Sequence, residues 1–129
     1  MTKTNKKAAF IPTTSNGVFC RGDHKKQEHV VCISLNGANT VIEKRVVTVG
    51  FLNADQVHPR EIFSDAITER AASIILFHNH PSGNTNPSNA DIAVTKRLVE
   101  VGETLGVKIH DHIIVSKDSY TSMKGRGLI

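Results

Sequence analysis

The sequence predicts an α/β domain, a single mixed β-sheet flanked by helices. Three observations predict it. Short Val/Ile-rich runs, HVVCISL, SIILF and the stretch from Val107 to Ser116, have the length and composition of strands. Two longer stretches between them, after Pro59 and after Ser88, repeat apolar residues at helical spacing. A length of 129 residues suits one domain built on one core.

Residues 1 to 15 are polar and unpatterned and are expected to form a flexible N-terminal arm, with the domain running from 16 to 129. No element is legible between Ser15 and Gln27. From Glu28 the pattern sharpens. His29 to Leu35 is an apolar run, Asn36-Gly37 marks a tight turn, and Thr40 to Val49 alternates, which together predict a β-hairpin. Pro59 suits the first turn of a helix on which Ile62, Phe63, Ala66 and Ile67 share a face. Ser73 to Phe77 predicts a buried central strand ending at His78. Pro81 to Pro87 forms a loop, and Ser88 opens a second helix carrying Val94, Leu98, Val101 and Leu105, with Gly106 as its stop. Val107 to Ser116 is the last long strand, and the tail Met123 to Ile129 is expected to add a short edge strand. The order ββαβαβ requires a sheet with both parallel and antiparallel pairs.

The 16 basic and 12 acidic residues give a net charge of +4, much of the excess coming from Lys3, Lys6 and Lys7. The other charges are mixed in sign, unlike the clustered basic stripe of a nucleic-acid binder. No apolar run approaches the ~18 residues of a membrane span, and the basic start lacks the apolar stretch of a secretory signal, so a cytoplasmic protein is expected. Of the two cysteines, Cys20 and Cys32, the second lies inside an apolar run and is expected to be a buried free thiol.

The chemistry concentrates in HNHPSGNTNPSNAD, residues 78 to 91. Side chains alternate along a strand, so His78 and His80 at a strand end point the same way. Asp91 falls in the first turn of the next helix, which the short loop folds back over the histidines. Two imidazoles and one carboxylate leave a tetrahedral Zn²⁺ one open position for water, the arrangement of a catalytic site, whereas structural zinc takes four protein ligands. Ser88-x-x-Asp91 is at the same time a helix-capping pattern, and one serine can serve both purposes.

The string His78-x-His80, Pro81 to Pro87, Ser88-x-x-Asp91 resembles the motif of the JAMM/MPN metalloproteases. With HNHPSG, the upstream VHPREIF and the downstream DHIIV, it is similar to the RadC (UPF0758) branch, over about Glu28 to Ile129. The resemblance implies the cytidine-deaminase-like JAB/MPN fold and a zinc-dependent hydrolase of peptide or isopeptide bonds, acting on a peptide or protein substrate. It implies His78, His80 and Asp91 as ligands of one zinc ion per chain, and Ser88 as a hydrogen-bond donor to the developing oxyanion. It also implies Glu28, immediately before the first strand, as the proton carrier. Spacing alone does not separate Glu28 from Glu43, Glu61 or Glu69. Longer RadC proteins carry an N-terminal helix-hairpin-helix region not seen in this sequence, so the resemblance supports a nucleic-acid partner only weakly.

Other polar residues have ordinary explanations. His58, Arg60 and Glu61 flank a helix start. His110, Asp111 and His112 lie on the last long strand, where a satisfied strand histidine is the default expectation and the orienting of a ligand imidazole by Asp111 or His112 is the alternative. The letters His-Asn-His do not make an HNH nuclease, whose three residues are spread over a ββα unit. Two functional readings follow: a zinc amide hydrolase, and a binding module of DNA maintenance or repair without peptidase activity. The second calls for salt-dependent affinity for nucleic acid.

Overall fold

A computed structural model describes residues 28–49 and 57–129. The expected arm at 1–15, the segment up to Gln27 and Cys20 lie outside the described residues. The elements are β1 (His29–Leu35), β2 (Val41–Val49), α1 (Pro59–Thr68), β3 (Ser73–Asn79), α2 (Asn89–Leu105), β4 (Lys108–Val115) and β5 (Tyr120–Ser122). They build one five-stranded sheet in the order β2-β1-β3-β4-β5. The β3–β4 pair is parallel and the others antiparallel, because α2 carries the chain back between them. The α/β class with a mixed sheet is thus what the chain forms. No helix among the described residues is long and apolar enough to cross a membrane.

β1 and β3 are buried on both faces, so they read as continuous apolar runs with no alternation. One face, with Val30, Cys32, Ile74, Leu76 and Ile109, packs against Ile62, Phe63 and Ala66 of α1 and Val94 and Leu98 of α2. Val31, Ile33, Leu35, Ile75, Phe77, Ile113 and Val115 form a second apolar cluster. Gly102 lets α2 come close: a Cβ there would lie 2.4 Å from the carbonyl oxygen of Val107 and 3.3 Å from Cζ of Phe63. Cys32 is a buried free thiol, pushed up to about 12 first by its burial.

Four details differ from the sequence reading. Ile67 and Leu105 are exposed, at 50% and 45%, each in the last turn of its helix. The hairpin loop spans Asn36 to Thr40 and is not a two-residue Asn-Gly turn. The Asn36 side chain accepts from Ala38 N and Thr40 N, and the left-handed residue is Asn39 (φ 61). The edge strand is Tyr120–Ser122, while the chain from Met123 folds into turns held by Leu128 N to Met123 O. β3 runs one residue past His78 to Asn79.

Candidate metal centre

β3 ends where α2 begins, and β1 starts beside that same point. The antiparallel register pairs Val30 with His78, so the chain before β1 passes level with His80. Glu28 is brought there although it is separated from His78 by 50 positions. A further clamp acts at this end: the buried Asn79 side chain accepts from His29 N at 2.5 Å, fixing the backbone next to Glu28.

The Ser88 cap sets the position of Asp91. Ser88 Oγ accepts from Asp91 N at 3.0 Å, and Asp91 Oδ2 accepts from Ser88 N at 2.8 Å, a reciprocal capping box. Ser88 uses only its lone pair in this cap, so its hydroxyl proton is not consumed by it. Asp91 is buried, and Thr95 Oγ1 donates to its carbonyl oxygen at 2.7 Å.

Four side chains then converge. His78 Nε2 lies 3.0 Å from Glu28 Oε1 and 3.6 Å from Asp91 Oδ1, and His80 Nε2 lies 3.1 Å from Asp91 Oδ2. Glu28, His78 and His80 present ligand atoms all within 4.8 Å of one another, a group that could hold a metal ion. The Asp91 carboxylate spreads across the pair, one oxygen to each imidazole. Asp91 approaches both imidazoles but is not part of the compact Glu28, His78 and His80 group, and Ser88 is tied to it through the capping box.

The hydrogen-bonding chemistry of this set fits a cation. His80 Nδ1 is 2.6 Å from the carbonyl oxygen of Asn84, which can only accept, so Nδ1 carries the proton. A neutral His80 then turns a bare Nε2 toward a carboxylate oxygen, which also only accepts. Without a metal, a proton has to fill that place. The His80 imidazolium is accordingly favoured, chiefly by its hydrogen bond to Asp91, with burial opposing. Burial pushes Asp91 upward, but the His80 hydrogen bond, the His78 charge and the Ser88 bonds outweigh it and hold the carboxyl at about 2. A tetrahedral ion with ligands at 2.0–2.2 Å sets donor atoms roughly 3.3–3.6 Å apart, close to the separations between Asp91 and the two imidazoles. Two carboxylates facing two imidazoles also carry the charge that a dication balances.

His112 lies next to this group. A bulge at His110 puts it there: Ile74 pairs with Ile109 but Ile75 with Asp111, so the phase of β4 shifts by one residue. His112 consequently shares the helix-side face with Ile109 and is fully buried. Its ring stands 5.5 Å from that of His78. Burial, with help from the His78 charge, pushes it down to about 3, so it is neutral. Asp111, the other residue singled out, faces away and ties down the C-terminal turn through Ser122 Oγ and Lys124 N. Arg60 and Glu61 form an exposed pair at 3.8 Å, away from the centre.

Against protein families, residues 15–128 match the model of the RadC-like JAB domain. The chain belongs to that family. Similar curated proteins include a UPF0758 protein of Methanospirillum hungatei, 52% identical over 105 residues, which are 81% of this chain and 47% of that protein. A UPF0758 protein of Bacillus cereus is 51% identical over 104 residues, covering 81% and 46% of the two chains. One of Bacillus licheniformis is 49% identical over 113 residues, covering 86% and 50%. The chain thus spans about half the length of the curated relatives it matches. The mixed five-stranded sheet with two helices agrees with the α/β architecture of a JAB/MPN domain. The Glu28, His78 and His80 group falls inside the part that matches the RadC-like JAB model.

Proposed function

We propose that this RadC-like JAB domain is a zinc-dependent hydrolase of peptide or isopeptide bonds. The observation that supports the reading is the clustering of Glu28, His78 and His80, with Asp91 against both imidazoles and more acceptor atoms than protons to share among them. His78, His80 and Asp91 would hold the metal. Asp91 is the better anchor of the two carboxylates because it is 3% exposed and fixed by the capping box, whereas Glu28 is 17% exposed at the open end of the sheet. When bound, zinc supplies Lewis acidity, polarising a carbonyl and acidifying water toward a pKa of ~7.

The chain's own residues do the rest. Glu28, close to the ligands but free of the cap, takes a proton from the attacking water and delivers it to the departing amine. The Ser88 hydroxyl, with its proton unused by the helix cap, donates to the oxyanion that develops on the carbonyl. Asn79 keeps Glu28 at its station through His29 N. The substrate is a peptide or protein whose extended segment reaches the end of β3.

The test is hydrolysis of a peptide and isopeptide library by the zinc-loaded protein and by Glu28→Gln. The variant should fold and keep its metal but lose ~10²–10⁴ in rate, because a neutral amide cannot accept the proton. Turnover equal to wild type in that variant would rule Glu28 out as the proton carrier.

A further inference from the structure

Two buried nitrogens beside the centre have no hydrogen-bond partner among the described residues: His78 Nδ1 and His112 Nε2. Their rings are neighbours, with centroids 5.5 Å apart and planes at 39°. An N–H···N bond of ~3 Å between two five-membered rings sets their centroids roughly 5 Å apart, so the ring spacing leaves room for a direct bond after a small rotation.

The protons can be assigned. Thr95 Oγ1 has one hydrogen and lies 2.7 Å from the Asp91 carbonyl oxygen, which only accepts; the Met123 sulfur at 3.6 Å is a far weaker competitor. Thr95 therefore receives a bond from His112, whose Nδ1 is 2.6 Å away, so His112 carries its proton on Nδ1 and leaves Nε2 as a bare acceptor. A neutral His78 has two choices. With its proton on Nε2 it donates to Glu28 and turns a second bare nitrogen to its buried neighbour. With its proton on Nδ1 it matches His112 and leaves the Nε2 lone pair for a metal.

We propose that His112 is a positioning residue of the metal centre: by accepting from His78 Nδ1–H it selects the metal-binding tautomer of His78. The Asp91–Thr95–His112–His78 sequence thereby joins two of the ligands behind the site. The inference rests on the metal-centre reading above and adds a residue to it. Loss of such an outer partner typically weakens metal binding 10–100-fold.

The experiment is zinc affinity, by competition with a chromophoric chelator, together with ¹⁵N NMR of the imidazoles. His112→Leu, folded by circular dichroism, should bind zinc 10–100-fold more weakly. His112→Gln, whose carbonyl can accept from His78, should recover most of that loss, which a purely space-filling role would not produce. Thr95→Val, which removes the acceptor that fixes His112, should fall between. In the wild type, free of metal, His112 should show the Nδ1–H tautomer, a readout that stands even if His112→Leu fails to fold. Wild-type affinity in folded His112→Leu, or a proton on His112 Nε2, overturns the proposal and leaves the metal centre standing. A wild-type protein that takes no zinc overturns both.

Discussion

Replacing Asp91 by Asn separates charge from geometry at the centre. An asparagine keeps the backbone N–H that donates to Ser88 Oγ, and its carbonyl can still accept from Ser88 N, so the helix cap persists. What disappears is the negative charge beside His78 and His80. The Asp91 carboxyl is lowered from 3.8 to about 2, which corresponds to about 2 kcal/mol of native-state stabilisation in the metal-free protein. Because the folded-state value is depressed, that stability is present above pH 4 and is lost as the pH falls from about 4 to 2. His80 moves the opposite way: its raised value stabilises the fold below pH 6.5 and is lost as the pH rises through the folded-state value. Urea unfolding of metal-free protein at pH 7 should show Asp91→Asn less stable by about 2 kcal/mol, or roughly 6–10 °C in Tm. The gap should close toward pH 2, and an NMR titration should show His80 falling back toward its ordinary range. Equal stability at pH 7 with an unchanged His80 titration would refute the coupling of this carboxylate to the histidines.

Two further substitutions probe the surroundings. Ser88→Ala should lower stability by ~1 kcal/mol through loss of the cap. It should also cut turnover ~10²–10³-fold with zinc retained; a lower Tm with normal turnover would leave Ser88 as a cap alone. Gly102→Ala would gain up to ~1 kcal/mol in helix propensity, but the new Cβ lies 2.4 Å from Val107 O, and the net result should be a loss of ~1–3 kcal/mol by urea unfolding, with zinc content unchanged.

What the sequence disclosed follows the range of the interactions. His78, His80, Ser88 and Asp91 sit within one strand–loop–helix unit, so strand alternation and helix capping were enough to group them. Local pattern does not distinguish Glu28 from the other glutamates, since its approach to His78 depends on the β1–β3 register across 50 positions. The position of His112 was hidden for another reason. Strict alternation from Ile109 puts it on the opposite face, and only the bulge at His110 turns it inward. The helix faces are legible in the middle, at Ile62, Phe63, Ala66, Val94 and Leu98, but not at Ile67 and Leu105, in the last turn of each helix, where the periodic pattern continues and burial does not. At the C-terminus the expected strand over Met123 to Ile129 does not form, because the hydrogen bonds from Met123 to Leu128 close the chain into turns.

The division of labour between the two carboxylates is the centre of the account, and zinc content measures it directly. Atomic emission on purified protein should find about one zinc per chain in the wild type and in Glu28→Gln, and a small fraction of that in Asp91→Ala, which removes one of three ligands. A Glu28→Gln protein stripped of zinc beside an Asp91→Ala protein that keeps it would contradict the account, making Glu28 the ligand.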